Sequence, residues 1–217
     1  MADIKEKIEK TYDIIAADYN VWTERNTGTK THFLSKLMEL LPTNQEAPIS
    51  VLELGCGAGI PATKLLLSNP NTAVVANDMS AAQLGLAKKN LEDCGGDRVT
   101  WNQGDMMKLS FADNSLDAVA AMYSIIHLPR DEQTAMVSNI AKWLRPGGHL
   151  LANFMSTEAE ASINPSWQAD DGWMFWSGWG PERTLEAIKA AGLKVLESEL
   201  RGDPGDSIFL WVMAVKE

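Results

Sequence analysis

Val51-Leu52-Glu53-Leu54-Gly55-Cys56-Gly57-Ala58-Gly59-Ile60-Pro61 decides the fold. The apolar run from Ile49 to Leu54 reads as a buried parallel strand. It leads into three glycines at alternate positions, and Pro61 stands where a helix begins. Glycine allows a tight turn and lets a ligand lie against bare main chain. A helix that starts beside such a turn leaves N–H groups unpaired and aimed at the loop. This is the build of a nucleotide-cofactor turn, and its spacing narrows the nucleotide. A dinucleotide fingerprint runs G-x-G-x-x-G/A. Counted from Gly55 its last position is Ile60, which speaks against a nicotinamide dehydrogenase. The pattern here is E-x-G-x-G-x-G, with Glu53 ahead of the first glycine.

With that pattern the chain resembles the class I S-adenosylmethionine (SAM)-dependent methyltransferases, in particular their small-molecule branch. Further segments continue the resemblance in order. Thr72-Ala-Val-Val-Ala-Asn-Asp78 reads as a second buried strand. Its terminal acid lies close to the roughly 20-residue offset at which a carboxylate meets ribose hydroxyls. One carboxylate accepts both hydroxyl protons; the alternative is that Asp78 caps the helix from Met79 onward. Val99 to Met106 reads as a third strand ending in Gly104-Asp105. The resemblance implies that Asp105 reaches the adenine amino group and that Met106 lines its pocket. Taken alone, Gly104-Asp105 reads as a surface turn. Ser115 to Met122 is a fourth strand, Leu144 to Gly148 a turn, and His149 to Phe154 a fifth strand. Lys194 to Leu200, the turn Gly202 to Gly205 and Ile208 to Val215 form a hairpin.

The resemblance covers roughly residues 10 to 217. It implies an α/β, Rossmann-like fold: a seven-stranded, mostly parallel sheet with a C-terminal antiparallel hairpin and helices on both faces. An N-terminal helical cap, 1–42, belongs to the same single domain, 1–217. The implied cofactor is SAM, held by Tyr19, Glu53, Gly55, Cys56, Gly57, Gly59, Asp78, Met79, Asp105, Met106 and Tyr123. Cys56 also fits as a small packing residue of the loop. Tyr12 to Tyr19 resembles the Y-D-x-x-A-x-x-Y opening of small-molecule methyltransferases, in which the later tyrosine closes over the methionine end of the cofactor. Tyr19 and Trp22 also fit the apolar face of a helix that carries Ile4, Ile8, Tyr12 and Ile15 at spacings of three and four.

A length of 217 residues with 45% hydrophobic content suits one domain with a large core. Nineteen Lys and Arg against 29 Asp and Glu give a net charge of −10, with no basic cluster, so nucleic-acid substrates are not expected. No apolar run reaches the 18 or so residues of a membrane span. The opening residues alternate charge and have no signal-peptide core. Two cysteines make no disulfide framework. A cytosolic protein away from membranes is the expectation.

A second helix should stop at Pro42, with Thr43 to Pro48 as a linker into the sheet. Asp131 to Trp143 and Pro181 to Ala190 are further helices, the latter closed by Gly192. Between strand five and the last helix lies Met155 to Gly180, which holds Trp167, Trp173, Phe175, Trp176 and Trp179. A connection this long is functional or disordered, and its aromatic density argues against disorder. Residues 155–180 are therefore expected to form a substrate lid, with Trp22, His127, Trp173, Trp176 and Trp179 against the acceptor. A satellite hydrophobic cluster or a homodimer contact is the alternative. Such walls suit a flat aromatic acceptor, or a cationic amine beside Asp170 and Asp171.

His127 is the candidate general base, just past strand four where the methyl group should point; a structural turn residue is the alternative. Tyr123 and Ser124 should line the pocket. No metal-ligand constellation stands out. The expected reaction is methyl transfer to an oxygen, hydroxyl or carboxyl, of a small metabolite. Nitrogen or sulfur acceptors, and a SAM-binding protein without chemistry, are the alternatives.

Overall fold

The computed structural model describes residues 2–42 and 47–217. Helices α1 (Ala2–Arg25) and α2 (Gly28–Leu40) precede the sheet. Then come β1 (Ile49–Leu54), α3 (Ala62–Leu66), β2 (Thr72–Asp78), α4 (Ala81–Asn90), β3 (Val99–Gln103), β4 (Leu116–Ala121) and α5 (Arg130–Trp143). The chain ends with β5 (Leu144–Met155), β6 (Glu158–Asn164), β7 (Met174–Trp179), α6 (Pro181–Ala190), β8 (Leu193–Arg201) and β9 (Phe209–Lys216).

The main sheet has seven strands in the order β3-β2-β1-β4-β5-β9-β8. The first five run parallel, and β9 is antiparallel to both neighbours. The apolar run of β4 is buried along its whole length, as a strand covered on both faces must be. One face is covered by α2, α3 and α4 through Phe33, Leu37, Leu66, Leu84 and Leu91. The other is covered by α5 and α6 through Met136, Val137, Ile140 and Ile188. The strand order reverses between β1 and β4, which opens a crevice beyond their carboxyl ends.

Phe33 of α2 stacks on Trp211 of β9, with centroids 4.8 Å apart and planes 7° from parallel. Both rings are fully buried. This contact anchors the cap to the sheet. Ile8 of α1 packs instead with Met174 and Phe175 of β7.

Two segments differ from expectation. The turn expected at Leu144 to Gly148 is part of β5, where a register shift against β4 absorbs the extra residues. Gly147 has φ 78°, and a Cβ on Gly148 would sit 2.8 Å from the Arg145 carbonyl. Glycine therefore permits a bulge here, and Arg145 pairs with Asp117 beside it. The long connection 155–180, expected as a substrate lid with no strands assigned, carries β6 and β7, which form a separate two-stranded antiparallel sheet. Of the expected linker, residues 43–46 lie outside the described residues. No described helix is long and apolar enough to cross a membrane.

Phe33→Ala should destabilise the protein by about 3–5 kcal/mol, the usual cost of emptying a buried aromatic site. Urea unfolding of the variant beside Phe33→Leu checks it; equal stability of Phe33→Ala and wild type would show that the cap is not anchored there.

Candidate methyl-donor cleft and acceptor chamber

The loop after β1 keeps its shape through three glycines with positive φ: Gly55 at 70°, Gly57 at 55° and Gly59 at 76°. Their tasks differ. A Cβ on Gly55 would strike Ser124 Cβ at 2.6 Å, so Gly55 lets the loop pass the end of β4. A Cβ on Gly59 would meet Leu91 Cδ1 at 2.8 Å, so Gly59 serves packing against α4. A Cβ on Gly57 would meet only Gln83 Oε1, at 3.7 Å, which leaves bare main chain facing the crevice. Gly55 and Cys56 donate their N–H groups to the Asn77 carbonyl at 2.8 and 2.9 Å. Asp78 closes the frame: one carboxylate oxygen accepts the Gly57 N–H at 2.8 Å and the other the Ser80 N–H at 2.9 Å. Ser80, not Asp78, caps α4, by accepting the Gln83 N–H at 3.1 Å.

A cleft above this loop is lined by Tyr12, Tyr19, Gly55, Cys56, Gly57, Asp78, Met79, Asp105, Met106, Tyr123 and Ser124. Two residues expected to hold the cofactor are absent from its wall. Glu53, 2% exposed, lies behind the loop and accepts the Thr63 hydroxyl at 2.6 Å. Gly59 is turned toward α4. Lys5 joins the wall unforeseen: its ammonium bridges Asp105 at 2.7 Å and Glu132 at 2.6 Å. Its place on the Ile8–Tyr12 face of α1, at helical spacing, was the available signal. Helix α1 roofs the cleft, held by Thr11 donating to the Trp173 carbonyl at 2.7 Å and by Ser80 donating to Asp13 at 2.5 Å. Beneath this roof the free volume is about 90 Å³. The polar lining suits a nucleoside: both Gln83 amide atoms, the Ser124 hydroxyl and the Tyr123 hydroxyl are buried without a hydrogen-bond partner. Buried polar atoms need partners, and SAM carries hydroxyls, an amine and a carboxylate to supply them.

Beside the cleft lies a larger chamber of about 730 Å³, walled by Trp22, Trp167, Trp176 and Phe209. Tyr12, Tyr19, Thr23, Lys30, Tyr123 and His127 border both spaces and form the throat between them. Trp173 and Trp179, expected at the acceptor, are elsewhere. Trp173 packs with Ile8 and Met174 under Lys7, whose ammonium is 5.1 Å from the ring. Trp179 has the guanidinium groups of Arg130 and Arg183 at 4.6 and 4.4 Å from its ring centroid. Neither Asp170 nor Asp171 lines the chamber. The turn Gly205 to Ile208 does, and sequence spacing gave no sign of it.

His127 ends a 3-10 turn after β4. Its Nδ1 is 2.8 Å from the Phe175 carbonyl, which can only accept, so Nδ1 carries the proton. Nε2 therefore accepts the Tyr12 hydroxyl at 2.9 Å. Burial pushes the imidazole down to about 4, so it is neutral at ordinary pH. Burial pushes Glu53 up to about 7 and Asp78 up to about 6.

Both acids have folded-state values above their unfolded ones. Their contribution to stability is thus full at low pH and is lost as pH rises through about 6 to 7. A cationic ligand favours the ionised forms. Affinity for SAM should therefore fall, with protons released on binding, as pH drops from about 8 to about 5.5. Titration calorimetry in two buffers of unlike ionisation enthalpy measures both effects; a pH-independent affinity with no proton release would contradict the assignment. Asp78→Ala should weaken SAM at least about tenfold at pH 8, the scale of a lost hydrogen bond to a charged group.

Residues 51–148 match the Methyltransferase domain family. The demethylmenaquinone methyltransferase of Lactiplantibacillus plantarum is 30% identical over 165 residues, 74% of this chain and 68% of that protein. Sterol 24-C-methyltransferase ERG6B of Gibberella zeae is 30% identical over 201 residues, 87% of this chain and 50% of that protein. The chain spans half or less of several curated relatives, 35%, 50%, 30% and 48% of their lengths. Among solved structures, the fold is shared with Burkholderia thailandensis 1,6-didemethyltoxoflavin-N1-methyltransferase, with bound 1,6-didemethyltoxoflavin and S-adenosylhomocysteine. The TM-score is 0.71 at 17% identity, over 99% of this chain and 89% of that one. The chain belongs to the class I S-adenosylmethionine-dependent methyltransferases.

Proposed function

We propose that this protein methylates an acidic oxygen, a carboxyl group foremost, of a small flat molecule seated in the aromatic chamber. The engagement of both His127 nitrogens carries the proposal. When bound, SAM supplies an electrophilic methyl group on a positively charged sulfur. The acceptor must then present a lone pair. His127 is a poor means of making one: its basic nitrogen is covered by Tyr12, and its value is near 4. Against a phenol near 10, that is a deficit of about six pKa units, or about 8 kcal/mol. An acceptor that arrives ionised needs no such transfer.

The remaining work is positioning, which can supply about 7–11 kcal/mol in well-oriented reactions. Trp22, Trp167, Trp176 and Phe209 offer flat walls that hold a ring at low entropic cost. His127 fixes the Tyr12 phenol at the throat, where donor and acceptor meet. In this reading it positions Tyr12 and does not act as a general base. A second reading is transfer to a ring carbon beside an ionised oxygen. It is supported by the relatives named for menaquinone and sterol C-24 methylation; the toxoflavin enzyme extends the shared fold to nitrogen.

Incubation with SAM and a panel of aromatic carboxylic acids, phenols and hydroxyquinones, read as a mass gain of one methyl group, tests the proposal. Mild base distinguishes the product: an ester is cleaved, an ether or C-methyl product is not. SAM binding without any product would point to a non-catalytic SAM-binding protein. At saturating donor, His127→Ala should lower turnover by less than about 100-fold, the lower range of general-base effects, with a flat profile from about pH 5.5 to 8. An inflection near pH 6.5 that vanishes in the variant would restore the base role.

A further inference from the structure

We propose that Asn153 is a positioning residue for the acceptor: it holds Tyr123 in the backbone conformation that sets the tyrosine ring and hydroxyl at the chamber side of the throat. The proposal rests on the acceptor-chamber reading above and adds a residue of β5, outside both linings, on which that chamber depends. The pairing of β4 with β5 ends at Ala121 and Ala152. Beyond it the Asn153 side chain takes over as partner for the main chain, its Oδ1 accepting the Tyr123 N–H at 2.5 Å. Tyr123 has φ 57°. That left-handed region crowds any residue with a Cβ, and a bulky one persists there only where the surrounding structure imposes it. Asn153 is costly as well. It is fully buried in β5 between Ala152 and Phe154, and among the described residues its Nδ2 has no hydrogen-bond partner. A leucine would fill the strand without orphaning an amide. Two unfavourable residues thus meet in one hydrogen bond, and its product is the placement of Tyr123.

That placement favours the acceptor over the donor. The Tyr123 ring meets Phe209 edge-on, with centroids 5.1 Å apart and planes at 84°, and Trp211 at 5.5 Å and 81°. Phe209 walls the chamber and is absent from the wall of the donor cleft. The Tyr123 hydroxyl is buried with no partner among the described residues. Burial pushes this phenol up, so it keeps its proton and can donate. An acceptor oxygen at the throat supplies the partner it lacks.

Tyr12, Tyr19 and Tyr123 are the three tyrosines of the chain, so labelling with meta-fluorotyrosine gives a fluorine NMR signal for each, assigned with Tyr→Phe variants. Calorimetry adds the affinities for S-adenosylhomocysteine and for 2-naphthoate titrated into the S-adenosylhomocysteine complex. In the ligand-free protein Asn153→Leu should move or broaden the Tyr123 signal and leave that of Tyr12 in place. The variant should bind S-adenosylhomocysteine as wild type does and 2-naphthoate at least about fivefold more weakly, the scale of one lost hydrogen bond. Asn153→Ala stands in should the leucine variant not fold. Asn153→Asp keeps the accepting oxygen and should restore both the signal and the affinity. An unmoved Tyr123 signal overturns the proposal, and so does a shift of all three signals, which reports general damage. Weakened S-adenosylhomocysteine with unchanged 2-naphthoate also overturns it, by assigning Asn153 to the donor side. Unchanged 2-naphthoate affinity in a variant whose wild type binds that probe sinks the proposal alone and leaves the aromatic chamber standing. Wild type that binds S-adenosylhomocysteine but no 2-naphthoate removes the aromatic-acid reading and the acceptor role of Asn153 together.

Discussion

The hydrogen bond between the Asp78 carboxylate and the Gly57 N–H holds the rest of the site in place. It joins the end of β2 to the apex of the loop after β1, beside the point where the strand order reverses. Asp78 also accepts from Ser80, so one buried side chain sets both the loop and the start of α4. The glycines are what let the loop lie close enough. Gly55 yields to Ser124 and Gly59 to Leu91, and Gly57 is left facing open space. An acid at this position thus has two tasks. It shapes the cradle through one N–H, and its remaining lone pairs face the cleft where ribose hydroxyls are expected.

Helix α1 turns this cradle into a closed site. Lys5, Thr11, Tyr12 and Asp13 each contact a different part of the rim. The same helix carries Tyr12 and Tyr19 into the throat, so one element both roofs the cleft and lines the chamber. A lid that both seals the site and supplies its residues commits bound ligands to reaction, and its opening limits turnover in many enzymes. The anchors are polar and lie at the edge, whereas α2 is fixed by the Phe33–Trp211 stack in the core. Of the two cap helices, α1 has the contacts that can part without disturbing the core.

The sheet and donor side were legible in the sequence because their signals are local. Continuous apolar runs mark strands buried on both faces, and the glycines and acids fall at their carboxyl ends. The acceptor side was not, because residues far apart in the chain build it: Lys30 from the second helix, Trp167 from the β6–β7 connection and Asp206 from the final hairpin. Strand β6 was hidden for another reason. Its residues Glu158 to Asn164 alternate, with Ala159, Ala161 and Ile163 on one face, but two of those three are small alanines and the strand is mostly exposed, so the apolar signal is faint. Tryptophan density misled in part, since a ring in contact with two arginines and a ring lining a chamber look alike in sequence. Trp179 is the first, Trp176 the second.

The charge of this site suits a cationic ligand. Asp78 and Asp105 line the cleft and Glu53 lies behind its loop, and burial above all pushes Glu53 and Asp78 toward their neutral forms. A sulfonium and an ammonium brought into that space favour ionisation, so donor binding and proton loss are coupled. Once S-adenosylmethionine has given up its methyl group, the sulfur is neutral, and part of the attraction that drew the donor in is gone. Acids that favour a sulfonium hold the neutral thioether less tightly. That difference works only if the cleft excludes water and counterions, because screening would flatten it. The roof formed by α1 is therefore an electrostatic requirement as much as a steric one.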